Sequence, residues 1–459
     1  MMPMKKNISK NSFNIKTLGK CLFDSPLKLS TKYGDRIVNY VSEKEKIIFY
    51  NETIALNRYK TLKDAPVLEK AGPRKKIFFN PSEVTAAIVT CGGLAPGLND
   101  VIRSLVMELH WIYGVKKILG IRYGYSGFIK DYGYEPMILT PKIVSDIHSF
   151  GGTLLGTSRG RQDEKKIVDF LEDNKVSMLF CIGGDGTLRG AHSIYEELTK
   201  RKLKIAIVGI PKTIDNDIAY VEKTFGFETA FSKAAEAIRA AHSEAISAYN
   251  GIGLVKLMGR HSGYIAANAA LGLKEVNFVL IPEVKFDLEG PNGLFEQLKA
   301  RLLKRKHAVI VVAEGAGQEY LVNENAPIKY DASGNIKLGD IGLFLKNAIK
   351  EYFKKQNFDV TLKYIDPSYI IRSLPALPTD SIFCGTLAQN AVHCAFAGKT
   401  DVIIGYVQNH FVHIPIPLAT SYRKEIDPES ELWFNVLEAT GQIKDMFNDK
   451  IKNKNEVIM

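Results

Sequence analysis

Cys181-Ile182-Gly183-Gly184-Asp185-Gly186-Thr187 follows the apolar run Val176-Ser177-Met178-Leu179-Phe180 and precedes a stretch with helical spacing, 188 to 201. A strand that empties into glycines, an acid and a hydroxyl at the mouth of a helix suits a phosphate. The glycines let backbone N–H groups come close, and the helix N-terminus adds a favourable partial charge. A carboxylate there would repel a bare phosphate. Asp185 therefore makes most sense holding a divalent cation between itself and phosphate oxygens. A glycine-rich β-turn-α corner with no ligand fits the same stretch equally well.

Working outward, the pattern repeats. Residues 85 to 90 are apolar and run into Cys91-Gly92-Gly93-Leu94-Ala95-Pro96-Gly97, and a helix is expected from 98 to about 113 on the spacing of Val101, Leu105, Val106 and Leu109. No Gly-Lys-Ser/Thr or G-x-G-x-x-G is present in either loop. Another strand end, 120 to 128, carries Tyr123 and Tyr125. The run 151 to 161 sets Arg159 and Arg161 among small residues, and the guanidinium fork suits phosphate oxygens, although loop arginines are ordinarily just solvated. The apolar run 205 to 210 ends in Pro211-Lys212-Thr213-Ile214-Asp215-Asn216-Asp217. If this segment stays extended, Thr213, Asp215 and Asp217 share a face and set a hydroxyl and two acids over one ligand. An Asx-turn or a helix cap is the plainer reading of Asp-Asn-Asp.

Alternating β and α units predict an α/β protein with doubly wound, mostly parallel sheets, in which ligands bind at the carboxyl ends of strands. A second α/β domain is expected over 226–372, with strand ends at Met258-Gly259-Arg260, Pro282-Glu283-Val284 and Glu314-Gly315, and a possible anion site at Asp366-Pro367-Ser368-Tyr369-Ile370-Ile371-Arg372. Residues 1–80 read as a polar N-terminal extension with short β-like runs such as Lys46-Ile47-Ile48-Phe49-Tyr50. The first domain spans 81–225, completed by about 373–420, and 421–459 reads as a polar tail.

Composition excludes several classes. The 459 residues, 46% hydrophobic and 24% charged, describe a globular chain, and no apolar run is long enough for a membrane span. The first ten residues carry lysines without the apolar segment of a secretory signal. Five scattered cysteines without C-x-x-C spacing point to reduced thiols and a cytoplasmic location. The net charge of +11 is spread along the chain, which suits anionic metabolites better than nucleic acid.

GGDGT also resembles the nucleotide loop of lipid and NAD kinases, but its combination with PKTIDND, MGR, PEV and a downstream Tyr-x-x-Arg, in this order, resembles the phosphofructokinase family over roughly residues 83 to 410. The stretch AGPRKKIFFNPSEVTAAIVTCGG is similar to the atypical ATP-dependent branch of plants, trypanosomatids and spirochaetes, which groups with pyrophosphate-dependent enzymes. The resemblance implies transfer of the γ-phosphate of ATP to the 1-hydroxyl of fructose 6-phosphate, with the site in a cleft between two domains. Asp215 would be the general base, Asp185 the Mg2+ ligand, and Arg159 would steady the transferring phosphoryl group. Gly93, Tyr125, Arg159, Gly160, Gly184, Asp185, Gly186 and Thr187 would surround ATP. Thr213, Ile214, Asp215 and Asp217, with Met258, Gly259, Arg260 and Glu283, would hold the sugar. Lys363, Tyr369, Ile370, Ile371 and Arg372 would serve the sugar phosphate. A homo-oligomer, dimer or tetramer, is expected, with no nucleic acid or membrane partner.

The same resemblance divides over the phosphoryl donor. Pyrophosphate users carry Asp after the metal-binding Asp, where this chain has Gly186, which leaves room for a nucleotide. Lys212 instead matches the pyrophosphate type. Gly251 stands where bacterial relatives place a subunit-crossing arginine, and an effector-site helix keeps Arg103 but has Met107 at the next basic position. A non-catalytic regulatory subunit would be expected to have lost acids that are present here.

Overall fold

A computed structural model describes residues 13–448 except 58, 60, 62, 63, 323–329 and 331–335, so the first ten residues, read above as no secretory signal, lie outside the described residues. The chain is an α/β protein that divides into two compact units, Lys5–Glu228 with Ser373–Arg423, and Thr229–Arg372 with Lys424 onward.

The first unit is built on a nine-stranded sheet. Its spatial order is Lys46–Ile48, Val67–Lys70, His410–Pro415, Val402–Val407, Ala206–Pro211, Met178–Gly183, Thr85–Thr90, Lys117–Ile121 and Met137–Ile138. The five strands from Val402–Val407 to Lys117–Ile121 are parallel, and the outer pairings on both sides are antiparallel. Every residue of Thr85–Thr90, Met178–Gly183 and Ala206–Pro211 is buried, as parallel strands covered on both faces require. The region before residue 80 supplies two edge strands of this sheet, and Lys16–Thr17 pairs with Lys399–Thr400. Glu69 ties that edge inward through Arg74, Lys399 and His413.

The second unit holds an all-parallel sheet in the order Phe278–Leu280, His307–Ala313, Gly251–Leu257, Thr361–Ile365. Gly251 and Gly253 let the sheet lie against helix Phe227–Ile246, since a Cβ at Gly253 would sit 2.7 Å from the Ala241 carbonyl oxygen. Ile252 and Leu254 face the other way, into a core with helices Leu294–Arg305 and Ile341–Lys355. The stretch read as a polar tail is part of this unit. Helix Glu431–Thr440 buries Trp433 and Val436, and Met446 enters the core, so a few apolar residues in a polar sequence suffice to dock it.

Candidate active site

In the first unit, three loops leave neighbouring parallel strands at one level, because Thr90 lies opposite Ile182 and Gly183 opposite Pro211. Backbone bonds join them: Cys91 N–H donates to Ile182 O at 3.0 Å and Lys212 N–H to Gly183 O at 3.0 Å. The buried Lys212 ammonium donates to the Gly93 carbonyl. Gly92 takes φ 83°, in the left-handed region that favours glycine.

Helix Asp185–Lys200 begins at Gly184 with no side-chain cap, so its first N–H groups are not claimed by a capping side chain. A Cβ at Gly183 would lie 2.2 Å from the Thr187 hydroxyl oxygen, which is why the strand ends in glycine. A Cβ at Gly186 would meet nothing within 4 Å. Tyr125 is buried beneath this turn, its hydroxyl donating to Thr187 O at 2.7 Å, and burial pushes its phenol pKa well up. The structure thus gives Tyr125 the place of a support under the helix mouth. The loop carrying Arg159 and Gly160 is stitched to the glycine loop by Thr157 Oγ1 donating to Gly92 O at 2.8 Å and Gly92 N–H donating to Ser158 O at 3.1 Å, with Arg159 itself exposed.

Asp185 Oδ2 accepts from Arg189 Nε at 3.0 Å, and Arg189 also donates to Thr420 O. Among the described residues no three or more His, Cys, Asp or Glu gather as a metal cage. Magnesium takes one or two carboxylates and completes its shell with substrate phosphates and water. Asp185, in the first turn of a helix beside open space, suits such a role.

The Asp-Asn-Asp segment is not extended, because Asn216 takes φ 52°. A tight turn gathers the groups instead: Asp215 N–H donates to Thr213 Oγ1 at 3.1 Å, and the Thr213 hydroxyl donates to Asp217 Oδ1 at 2.9 Å. Ile214 is buried and anchors the turn. Asn216, passed over in the sequence, pins it. Its amide donates to Glu222 O at 3.0 Å, and its carbonyl accepts from Thr224 N–H at 3.0 Å and the Thr224 hydroxyl at 3.2 Å. The tolerance of Asn for left-handed backbone was the available signal.

In the second unit, Leu257 lies opposite Ala313 and Val255 opposite Ile365, so the loops after these strands share one carboxyl edge. Gly259 takes φ 132°, and a Cβ there would sit 2.5 Å from Ser262 O, so Met258-Gly259-Arg260 needs its glycine. The Arg260 guanidinium donates to Ile336 O at 2.6 Å. Glu283 Oε1 accepts from Gly263 N–H at 2.9 Å and Ile426 N–H at 2.8 Å, while Oε2 is buried without a hydrogen-bond partner among the described residues. Burial raises the Glu283 pKa, and the backbone donors offset part of that. Arg372 stacks its guanidinium 4.8 Å from the centre of the Tyr369 ring. Tyr369 and Ile370 are exposed, and Ile371 is fully buried as the plug of this turn.

Lys363 lies level with Gly253, roughly 13 Å back from Leu257 at 3.3 Å per residue, and pairs with Glu244 at 3.6 Å, so the fold of this chain does not bring it to that carboxyl edge. Glu314, whose role the sequence left unassigned, is at that edge. Burial raises the Glu314 pKa, and the cations of Arg260, Lys256 and Arg372 pull it back down. Its signal was an acid placed directly after a buried strand.

The sequence model of the family described as Phosphofructokinase matches residues 85–395. An ATP-dependent 6-phosphofructokinase of Borreliella burgdorferi is 51% identical over 444 residues, covering 95% of this chain and 98% of its own. A chloroplastic ATP-dependent 6-phosphofructokinase of Arabidopsis thaliana is 51% identical over 82% of this chain and 69% of its own. Among solved structures, a pyrophosphate-dependent phosphofructokinase of Marinobacter aquaeolei superposes with a TM-score of 0.63 at 18% identity, over 80% of this chain and 94% of that one, which is a likeness of fold alone.

Proposed function

The chain belongs to the phosphofructokinase family, and we propose that it acts as an ATP-dependent 6-phosphofructokinase, moving the γ-phosphate of ATP to the 1-hydroxyl of fructose 6-phosphate in glycolysis. The observation that carries this reading is the open space over Gly186, at an uncapped helix mouth beside Lys212 and the Gly93 loop. An acid in that position would meet the nucleotide's own negative charge.

Phosphoryl transfer asks little covalent chemistry of a protein, so positioned donors and cations supply most of the rate. The helix N–H groups and Lys212 bind the donor phosphates, with Gly93, Gly160, Gly184 and Thr187 shaping the cradle and Tyr125 holding it from below. Asp185 would hold Mg2+, which when bound neutralises charge on the phosphate oxygens. Asp215 takes the proton of the sugar's 1-hydroxyl, and the Thr213–Asp217 hydrogen bond keeps the turn that aims it. Arg159 steadies the phosphoryl group in transit. Arg260, Tyr369 and Arg372 hold the sugar phosphate. The free oxygen of Glu283, together with Glu314, accepts from sugar hydroxyls. The presence of Asp185, Asp215 and Asp217 favours an active subunit over a regulatory one. All five cysteines are free thiols, which supports a reducing compartment, the cytoplasm. A homo-oligomer is the assembly we propose.

Asp215→Ala should lose about 100- to 10,000-fold in kcat, the contribution of a positioned base, while ATP still binds. Near-normal kcat would remove Asp215 as the base.

A further inference from the structure

Ile252, Leu254 and Lys256 point to the same face of the central strand of the second sheet, by the two-residue period of a strand. The first two are fully buried among Phe286, Leu345 and Phe353, so the third is an apolar position by pattern. It carries a lysine whose side chain is only 13% exposed. Burying an ammonium there is costly unless it is paired. The pairing is double: Lys256 Nζ lies 2.8 Å from Asp366 Oδ2 and 3.2 Å from Asp340 Oδ2.

Both acids start a structural element. Asp340 caps helix Ile341–Lys355, its Oδ1 accepting from Leu343 N–H at 3.1 Å. Asp366 opens the turn that presents Tyr369 and Arg372, its Oδ1 accepting from Ser368 N–H at 3.1 Å while Oδ2 faces the lysine. Ile370 N–H then donates to Pro367 O at 2.7 Å and Arg372 N–H to Tyr369 O at 3.3 Å, so the turn is rigid once Asp366 is fixed. Lys256 stands two residues before Met258 on the same strand. A single ammonium therefore joins the strand that leads to Met258-Gly259-Arg260 to the turn that carries Tyr369 and Arg372.

We propose that Lys256 is a positioning residue for the sugar phosphate: it fixes the Asp366 turn so that Tyr369 and Arg372 meet the phosphate together with Arg260, and it offsets one of the two negative charges of Asp366 and Asp340 beside an anionic substrate. This rests on the assignment of that edge to fructose 6-phosphate made above.

The test is steady-state kinetics of the full chain with each substrate varied at saturation of the other, accompanied by melting curves, on the wild type, Lys256→Met, Lys256→Arg, Asp366→Asn and the double variant Lys256→Met with Asp366→Asn. Displacing the turn should raise KM for fructose 6-phosphate about 10- to 100-fold in Lys256→Met. KM for ATP should hold, and Lys256→Arg should recover most of the loss. Asp366→Asn should raise the same KM, and the double variant should be no worse than the poorer single one, because both remove one interaction. A folded Lys256→Met with a lower melting temperature and an unmoved KM for the sugar would overturn the proposal, as would equal rises for both substrates. If Lys256→Met does not fold, Asp366→Asn alone decides by the same criterion. A wild type that fails to phosphorylate fructose 6-phosphate would defeat the functional reading instead, which keeps the two failures distinct.

Discussion

Gly186 is a residue that the fold does not need. It is the second residue of helix Asp185–Lys200, where glycine costs about 1 kcal/mol relative to a good helix former and where acids are favoured by the helix dipole. A Cβ there would meet nothing within 4 Å. Helix preference and the space at the Cβ both permit Asp, and the proposed nucleotide is what gives the glycine a reason. Gly186→Asp should leave the melting temperature unchanged or slightly higher while lowering kcat/KM for ATP by about 100-fold or more, because like charges brought together cost several kcal/mol. Unchanged ATP kinetics would contradict this. Residues of this kind are legible in a sequence because their meaning is local: Gly183, Asp185, Gly186 and Thr187 form one contiguous corner. Asn216 and Glu314 were not legible in the same way. Asn216 acts through bonds to residues 222 and 224, and Glu314 through cations on two other loops of its sheet.

At the scale of elements, the helix expected from 98 to about 113 is α-helical over Leu98–Met107 and then widens into a π-helical turn, Glu108–Ile112. Its apolar spacing fitted an α-helix throughout, so the change was hidden in the sequence. The turn buries Glu108 3.8 Å from His393 Nε2, while His393 Nδ1 shares a 2.8 Å hydrogen bond with the Tyr113 hydroxyl. Burial lowers the His393 pKa to about 4, leaving it neutral, and burial pushes Glu108 up to about 7. Between its unfolded value near 4.5 and about 7, the folded chain keeps a Glu108 proton that the unfolded chain has lost. Stability from this group is therefore present at low pH and declines as pH rises through that window. Glu108→Gln removes the titration. It should melt with the wild type at about pH 5 and be more stable at about pH 8, by about 1 kcal/mol after allowance for solvent screening. An equal difference at both pH values would rule the account out. The buried parallel strands Thr85–Thr90, Met178–Gly183 and Ala206–Pro211, by contrast, were plain in the sequence, since each is a short apolar run ending at or just before glycine or proline, whereas Val402–Val407 runs into Gln408-Asn409 and went unread.

At the scale of the whole molecule, the chain passes between its two units three times among the described residues, after residues 228, 372 and 423. The first two passages coincide with changes from one set of βα units to another, which periodicity exposes. The third precedes a region whose docking depends on Trp433, Val436 and Met446 scattered through polar sequence, and composition read it as a tail. Before residue 80 the β-like run 46 to 50 contains the strand Lys46–Ile48, whereas Val67–Lys70, at four residues, is too short to show a period. The candidate site survives these errors because it is made at the carboxyl ends of long buried strands, the most legible elements of the chain. Two of its residues pull in opposite directions, Gly186 toward a nucleotide and Lys212 toward pyrophosphate. Lys212 donates to the Gly93 carbonyl, a place from which its charge would serve either donor in the proposed site, whereas the space over Gly186 would serve a nucleotide. The direct measurement is the initial rate of fructose 6-phosphate phosphorylation with Mg2+ and either ATP or pyrophosphate, run side by side on the same preparation. Turnover with ATP and none with pyrophosphate is the predicted result; robust turnover with pyrophosphate and none with ATP would contradict it.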